Sequence, residues 1–391
     1  MSKLQELIKK LCPDGVEFRK LGEVCEITIG EFVHKNKQTE NGIYPVYNGG
    51  KDNTGFYEEY NNVGNKVIIS ARGANAGYIN KVLTNYWAGN SCYSLSPFNR
   101  QQLNWIFLYY TLKNKEKELM NNQQTGSIPA LSKKQIEAIE ILLPPLEVQN
   151  EIVRILDTFT AHTAELQAEL QARKEQYEYY RNKLLTFDEN DERVKWIKLG
   201  EIGTFVRGNG LQKKDFTETG FPCIHYGQIH TYYCTSANST ISYTSNSLAE
   251  KLRKASYGDL IIATTSEDVD CVCKACAWLG ENDVAISGDA YVFRHNQNPK
   301  YVSYLFQTKL FYELKKKAAT GTKVIRVSGE SMEKFLLPFP PFSEQQHIVS
   351  ILDKFEFLVN DLTAGLPAEI AAVQEQYEYY RNKLLTFERK S

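Results

Sequence analysis

The stretch QYEYYRNKLLTF at residues 176–187 occurs a second time, letter for letter, at residues 376–387. A glutamate precedes each copy, so the identity is thirteen residues long. We call residues 176–187 the first dodecamer and residues 376–387 the second dodecamer. An internal repeat of this kind indicates a chain built from two similar units, and it takes precedence over any single predicted element.

The repeat extends far upstream of the dodecamers. The stretch PPLEVQNEIVRILDTF at 144–159 aligns with PPFSEQQHIVSILDKF at 340–355, and VEFRKLGEVCEITIG at 16–30 aligns with VKWIKLGEIGTFVRG at 194–208. Between these blocks the two halves share little sequence, but both contain short Val, Ile and Tyr runs separated by Gly and Asn, a composition typical of β-strands and turns. The chain is therefore predicted to contain two units that share the same flanking motifs and element order but have different sequences between those motifs.

The residues after each proline pair predict long helices, because proline is tolerated only in the first turn. Apolar and aromatic residues then recur at steps of three and four, as in a coiled-coil seam. In the first copy this seam runs through Ile152, Leu156, Phe159, Thr163, Leu166, Leu170, Arg173, Tyr177, Tyr180 and Leu184. A helix over residues 146–184 would be about 58 Å long. In the second copy, Gly365 and Pro367 interrupt the spacing and predict a bend or a restart.

These patterns predict an α+β fold, with two β-rich domains separated by two long antiparallel coiled-coil helices and related by a pseudo-twofold axis. A single seam would suit a dimer interface, but two seams in one chain can pack against each other. The predicted segments are an N-terminal helical segment at 1–15, a first variable domain at 16–143, a central spacer helix at 144–187, a second variable domain at 188–339 and a C-terminal spacer helix at 340–391.

Composition limits the possible functions. The 391 residues carry a net charge of −1, so any nucleic-acid partner must be bound through local basic surface. The N-terminus lacks the apolar core of a signal peptide, and no stretch reaches the roughly 18 apolar residues of a membrane span. Eight irregularly spaced cysteines indicate reduced thiols, and we expect the cytoplasm.

No motif predicts catalysis or a cofactor in this chain. The sequence lacks an Asn/Asp-Pro-Pro-Tyr/Phe motif for an adenine amino group, a GxxxxGKS/T phosphate loop and an HExxH motif. CVCKAC at 271–276 has the spacing C-x-C-x₂-C but no paired fourth ligand, and its alternation with Val272 favours a β-strand over a zinc site. We therefore expect a non-catalytic protein without a bound metal.

Taken in order and twice over, these motifs resemble the specificity subunit of Type I restriction–modification enzymes, over essentially the whole chain. The resemblance rests on the KLGE motifs at 20–23 and 198–201, the two Pro-Pro blocks with their shared Ile-Leu-Asp triplet, the TAELQAEL step at 163–170 and the two dodecamers. It implies that each variable domain is a target recognition domain reading one half of a bipartite DNA site. The repeated helices would set the gap between the halves.

The resemblance also implies partners. Two modification subunits would carry S-adenosylmethionine and methylate adenine N6, and restriction subunits would use ATP and Mg²⁺. Because the variable domains differ in sequence, we expect an asymmetric site. The alternative is a non-enzymatic coiled-coil adaptor whose helices bind protein partners and whose variable domains bind something other than duplex DNA.

Polar residues in glycine-rich and histidine-rich stretches are the candidate DNA contacts. In the first variable domain they are Asn48, Lys51, Arg72 and Asn75; in the second they are His225, Gln228, His230, Thr265, Ser266, Lys323 and Arg326. Arg can bridge guanine O6 and N7, Asn can bridge adenine N6 and N7, and Lys more often holds phosphate. Ordinary turn chemistry is the alternative for the Gly and Asn residues.

The dodecamers are the candidate partner-binding segments. The residues proposed are Tyr177, Tyr180, Arg181 and Lys183 in the first copy, and Tyr377, Tyr380, Arg381 and Lys383 in the second. The tyrosines fall on the seam, whereas Arg181 and Lys183 are predicted to face outward. Packing tolerates volume-conserving changes, so identity at outward positions favours two equivalent partner subunits, with recent duplication of the gene segment as the rival explanation.

Overall fold

A computed structural model describes residues 3–121, 129–361 and 364–390. The chain divides into two compact units. Unit 1 contains Met1–Gln167 and Glu369–Ser391, and unit 2 contains Ala168–Ala368. Each unit therefore combines one variable domain with the first part of the helix that comes after it. Unit 1 also contains the second dodecamer, from the C-terminal spacer, and unit 2 contains the first dodecamer, from the central spacer.

Unit 1 is built from short strands and helices around one core. Its elements are α1 Lys3–Leu11, β1 Glu17–Lys20, α2 Leu21–Val24, β2 Cys25–Ile29, β3 Tyr44–Tyr47, β4 Phe56–Tyr57, β5 Lys66–Ser70, β6 Ile79–Val82, β7 Trp87–Ala88, β8 Cys92–Pro97, α3 Trp105–Asn114, α4 Glu116–Asn121, α5 Lys133–Glu137, β9 Glu140–Leu143 and the start of α6 Leu146–Leu184. The strands form an antiparallel sheet in the order β2-β8-β5-β6, a mixed sheet in the order β4-β3-β7 and the pair β1-β9.

Unit 2 contains the rest of α6 together with the second variable domain and its helix. Its elements are β10 Lys195–Lys198, α7 Leu199–Ile202, β11 Gly203–Arg207, β12 Phe221–Ile224, α8 Tyr226–Thr231, β13 Ser236–Ala237, β14 Tyr243–Thr244, α9 Asn246–Ala249, β15 Lys254–Ala255, β16 Leu260–Ala263, β17 Thr265–Ser266, β18 Lys274–Trp278, β19 Val284–Ile286, β20 Ala290–His295, α10 Pro299–Leu305, α11 Lys309–Ala318, β21 Ile325–Arg326, α12 Gly329–Glu333, β22 Leu336–Phe339 and α13 Phe342–Asn360. The last helix, α14 Leu366–Leu384, begins in unit 2 and ends in unit 1.

The two variable domains share one topology although their sequences differ. The strand order β2-β8-β5-β6 in unit 1 recurs as β11-β20-β16-β18 in unit 2, β4-β3-β7 recurs as β14-β12-β19, and β1-β9 recurs as β10-β22. Unit 2 extends both larger sheets by one strand and adds the pair β17-β21. The repeat predicted from the flanking motifs thus continues through the segments that share little sequence.

One shared glycine has a clear structural reason. Gly30 and Gly208 come directly after the first strand of the larger sheet in each domain. A Cβ atom at Gly30 would collide with the carbonyl oxygen of Ala88, and one at Gly208 with that of Ser287. Both positions therefore need a residue without a side chain, because the two backbones approach too closely for any other.

The helix predicted over residues 146–184 is present in the central spacer. Helix α6 runs without a break over 39 residues. All ten seam positions are buried or half-buried, with Ile152, Leu156, Leu166 and Tyr177 the most buried. In the second copy the helix stops at Asn360 and restarts at Leu366, as Gly365 and Pro367 predict. The seam of the second copy runs through Ile348, Leu352, Phe355 and Val359 to Leu362, which lies outside the described residues.

Each dodecamer packs on the core of the unit that contains it. In unit 2 the Tyr177 and Tyr180 rings stack on Phe355, with centroids 6.4 and 5.5 Å away. In unit 1 the Tyr380 ring stacks 5.5 Å from Phe159. Tyr177 and Leu185 are buried in the core of unit 2, and Leu385 in the core of unit 1.

The prediction that the dodecamer arginines face outward is wrong. Arg181 is half-buried, and its Nη1 donates to Oε1 of Gln307 at 3.2 Å. The matching Arg381 donates from Nε to Oδ1 of Asn114, also at 3.2 Å. The cause is the stacking of each guanidinium on the tyrosine one turn earlier, Tyr177 or Tyr377, which turns the side chain towards the domain.

The strand predicted for CVCKAC begins later than expected. Residues 271–273 form a turn in which Cys273 has φ +63°, and β18 starts only at Lys274. The alternation of Cys271, Val272 and Cys273 therefore does not mark a strand, because these residues form a turn before β18 begins. Among the described residues, no group of three or more His, Cys, Asp or Glu side chains is arranged to hold a metal ion. Within the same residues, no helix combines the length and apolarity needed to span a bilayer.

Candidate nucleic-acid interface

The four candidates of the first variable domain gather where β3 and β5 end. Asn48 comes directly after β3, and Arg72 lies two residues after β5. The loops after these strands contact each other, since Ser70 Oγ donates to the carbonyl oxygen of Gly50 at 2.9 Å. Asn80 Nδ2 likewise donates to the carbonyl oxygen of Lys51 at 3.3 Å. Two separate sheets thus bring one group of polar residues together.

These residues differ in how much of each side chain is available. Arg72 and Lys51 are exposed, and the Lys51 ammonium lies 5.7 Å from the centre of the Tyr78 ring. Asn75 is half-buried in the turn after Arg72. Asn48 is half-buried too, and its Oδ1 accepts from the Ser91 amide at 3.2 Å. Arg72 and Lys51 are therefore the side chains most open to a ligand, and Asn48 also positions a neighbouring loop.

In the second variable domain, His225 and Gln228 cap a short helix. His225 is the N-cap of α8, and its Nδ1 accepts from the Gly227 amide at 3.2 Å. The Gln228 Oε1 accepts from the His225 amide at 2.8 Å, and its Nε2 donates to Ser242 Oγ at 2.6 Å. Burial, with a smaller effect of Lys213, lowers the pKa of His225. Both side chains thus hold the loop in place.

The remaining candidates of this domain meet at the pair β17-β21. Thr265 stands opposite Arg326 in this antiparallel pair, which joins the stretch TTSED to TGTKVIR. The Nε2 of His230 lies 3.0 Å from the Thr265 carbonyl oxygen. Arg326 and Lys323 are exposed, Ser266 is half-buried and Thr265 is buried. Arg326 and Lys323 are therefore the open cations among these sequence candidates.

The structure adds two residues to this group that sequence reasoning missed. Arg207, the last residue of β11, donates from Nε to the Gly288 carbonyl oxygen at 3.0 Å and lies 3.8 Å from Asp289 Oδ1 through Nη2. Asp289 Oδ1 also accepts from Thr265 Oγ1 at 3.3 Å. The signal was the aligned glycine, because Gly208 marks the strand end at which Arg207 stands.

The two groups occupy the same end of the common topology. Asn48 and His225 each come directly after an inner strand of a mixed sheet, β3 or β12. The residues after β5 and β16 each bridge to the segment before the Pro-Pro block, through Arg72 opposite Ala130 and Thr265 opposite Arg326. An arginine stands on one side of the bridge in the first domain and on the other side in the second. The strand topology is repeated in the two domains, but the polar side chains at this end differ between them.

Comparison with known proteins agrees with this duplicated architecture. The family profile of the Type I restriction modification DNA specificity domain matches the chain twice, at residues 13–176 and 191–372. A protein of Haemophilus influenzae that is named among the type I restriction enzyme specificity subunits is similar over 399 residues. It is 32% identical, with 97% of this chain and 98% of that protein covered.

Two solved structures have a similar fold. The S subunit of a Type-I restriction-modification system from M. genitalium aligns with a TM-score of 0.60 at 18% identity, over 95% of this chain and 96% of its own. A chain solved in work on complex assembly and conformational transition of the type I R-M system aligns with a TM-score of 0.59 at 17% identity, over 96% and 98%.

The fold and the repeated specificity domain define a non-catalytic DNA-recognition protein. Within that class, the chain belongs to the specificity subunits of type I restriction–modification systems.

Proposed function

We propose that this subunit reads an asymmetric, bipartite site on duplex DNA, with one half read by each variable domain. The observation that carries the proposal is the repetition of one topology with different polar residues at the same end. Arg72 and Lys51 are open at that end in the first domain, and Arg326 and Lys323 in the second. Exposed arginines suit guanine edges, and exposed lysines suit phosphates.

The central spacer helix is proposed to set the gap between the half-sites. Helix α6 is continuous over 39 residues, which corresponds to about 58 Å. One turn of B-DNA is about 34 Å, so a helix of this length matches a separation of more than one turn. The second spacer is interrupted between Asn360 and Leu366, which makes α6 the better candidate for a fixed length.

The dodecamers are proposed to dock two modification subunits, one on each. Lys183 and Lys383 are exposed, and so are the neighbouring Tyr179 and Tyr379, with 60% and 59% of their surface accessible. The seam tyrosines and the arginines proposed with them pack within their units and would support this face, although 40% of the surface of Tyr380 is accessible. S-adenosylmethionine would be bound by the modification subunits, and ATP and Mg²⁺ by restriction subunits, in the cytoplasm where the DNA lies.

Methylation mapping tests the proposal directly. The chain is co-expressed with its modification subunit in a host without adenine methylation, and N6-methyladenine is located across the genome. We expect one motif made of two different half-sites separated by a fixed number of unspecified bases. Loss of methylation when this chain is left out is the control. A continuous motif, or methylation independent of this chain, would contradict the proposal and favour an adaptor.

A further inference from the structure

A matching surface turn occurs in both variable domains outside the candidate contacts. Residues 30–42 (GEFVHKNKQTENG) and 208–220 (GNGLQKKDFTETG) have the same length, and a glycine begins and ends each segment. Val33 and Leu211 are buried at the same position, and Thr39 and Thr217 pair with the neighbouring sheet in the same way. Between these points lies a single 3₁₀ turn, Lys35–Lys37 or Lys213–Asp215. We call residues 34–38 and 212–216 the two lysine turns.

The lysine turns present cations that the fold does not use. Lys35, Lys37, Lys213 and Lys214 are all exposed, and none of them forms an ion pair with any residue that the structure describes. The nearby Asp215 is occupied, because its Oδ2 accepts from the Gln212 amide at 2.9 Å and closes the turn. The two sequences differ here, KNK against KKD, so the same location carries lysines in both domains without a shared motif.

Each lysine turn lies beside the candidate interface of its own domain. In the first domain, Gln38 Oε1 accepts from Thr54 Oγ1 at 2.8 Å, and Thr54 closes the loop that carries Lys51. In the second domain, the Phe216 ring lies 6.1 Å from His225, and the charge of Lys213 reaches His225. The turns are therefore placed to meet whatever is bound at these interfaces.

We infer that both lysine turns bind phosphates of the duplex backbone next to each half-site, independently of base sequence. The inference rests on the proposed DNA-binding function. A chain of net charge −1 needs local cations to bind DNA, and lysine ammonium groups contact phosphate as point charges. The phosphate backbone of DNA is the same whatever bases each domain reads. This explains why both domains carry lysines at equivalent positions although their base-reading residues differ.

The experiment measures the salt dependence of DNA binding. The full chain, in complex with its modification subunits, is titrated by fluorescence anisotropy against a random-sequence duplex of about three helical turns. A duplex of equal length with the mapped site is measured in parallel. The variants are Lys35→Gln with Lys37→Gln, and Lys213→Gln with Lys214→Gln. Lys9→Gln with Lys10→Gln on helix α1 is the matched control, because it removes the same charge from exposed positions.

We expect each turn variant to reduce the magnitude of the negative slope of log K against log salt by about 2, since each phosphate contact contributes roughly 0.9. The loss of affinity should be equal on the two duplexes, and the methylated motif should not change. Circular dichroism checks that the variants remain folded.

Slopes equal to those of the wild type and the Lys9/Lys10 control would overturn the inference. So would a loss of affinity seen only on the duplex with the mapped site, because the turns would then read bases. Failure of the proposed function has a different signature, the absence of a bipartite methylated motif. The measurement on the random duplex decides the inference in either case.

Discussion

A tyrosine–aspartate hydrogen bond connects each variable domain to the helix that comes after it. The Tyr110 hydroxyl donates to Asp157 Oδ1 at 2.6 Å, and the Tyr304 hydroxyl donates to Asp353 Oδ1 at 2.8 Å. The two aspartates are the third residue of the shared Ile-Leu-Asp triplet. Their repetition is therefore explained by one domain-to-helix contact that both units make.

Removing the Tyr110 hydroxyl should destabilise unit 1. Tyr110→Phe leaves Asp157 without its buried partner, which typically costs about 1–3 kcal/mol for a hydrogen bond to a charged group. Urea unfolding of the full chain measures the change. Tyr109→Phe is the control, since its hydroxyl makes no hydrogen bond with the described residues. Equal stability of both variants would show that the contact contributes nothing.

His295 should make unit 2 sensitive to mild acid. Burial lowers the pKa of His295 to about 4 from 6.5, so the unfolded chain binds a proton more readily than the folded one. The contribution of His295 to the free energy of unfolding is therefore fully present above pH 6.5. It is lost as the pH decreases towards 4, and the loss is on the order of 3 kcal/mol.

The substitution His295→Asn tests this pH dependence. Asn can still accept from the Gln297 amide, which now donates to His295 Nδ1 at 3.2 Å, but it does not titrate. We expect a flatter decline in the free energy of unfolding between pH 6.5 and 4 than in the wild type. His162→Asn, at an exposed position, should leave the wild-type decline unchanged. Parallel declines in His295→Asn and the wild type would refute the assignment.

At the residue scale, sequence reasoning locates the candidates better than it assigns their roles. The stretch containing His225 and Gln228 suits base reading, yet it also has the spacing of a capping box, and both side chains close that box. The seam alone places Arg181 outward, because it takes no account of stacking along the helix, and the Tyr177 ring turns the guanidinium inward.

At the element scale, long periodic segments are predictable and short paired ones are not. The bounds of α6 are set by a seam sustained over 39 residues and by the proline pair before it. The pair β17-β21 has two residues in each strand and forms only because Thr265 meets Arg326 from a distant part of the chain. No local propensity encodes such a pair, so its place in the site could not be found from sequence.

Helix α6 gives the sharpest test at this scale. Deleting residues 163–166, one TAEL step, would shorten the helix by about 6 Å and rotate its C-terminal part by about 40°. The gap between the half-sites should change while both half-sites stay the same, as read by genome-wide methylation mapping. Duplicating the same four residues should move the gap in the opposite direction. Altered bases with an unaltered gap would rule out α6 as the spacer.

At the scale of the whole molecule, the two units should be separable in their effects on specificity. Arg72 lies in unit 1 and Arg326 in unit 2, each at the candidate interface of its own domain. Arg72→Ala should relax one half-site, and Arg326→Ala should relax the other, each at a cost of about 1–3 kcal/mol if it contacts a base. Methylation mapping of both variants gives the result.

A combined variant and a matched control make this test decisive. The double variant should relax both half-sites, because the sites are independent. Arg100→Ala removes an exposed arginine that donates to the Asn65 carbonyl oxygen, away from the candidate group, and should leave the motif intact. If Arg72→Ala and Arg326→Ala affect the same half-site, the assignment of one domain to each half is wrong.

Unit 1 is completed by the second dodecamer, which is one of the last segments to be synthesised. This order of synthesis affects folding during translation. Residues 388–390 also join this unit, since the Val16 amide donates to the Glu388 carbonyl oxygen and the Lys390 amide to that of Val16, both at 2.9 Å. Roughly 200 residues separate helix α6 from this segment, so at about 5–20 residues per second a ribosome needs about 10–40 s to supply it. During that interval the first domain exists without the partner that covers its apolar side. In that interval the ribosome has made the first dodecamer but not the second, although the two have the same sequence.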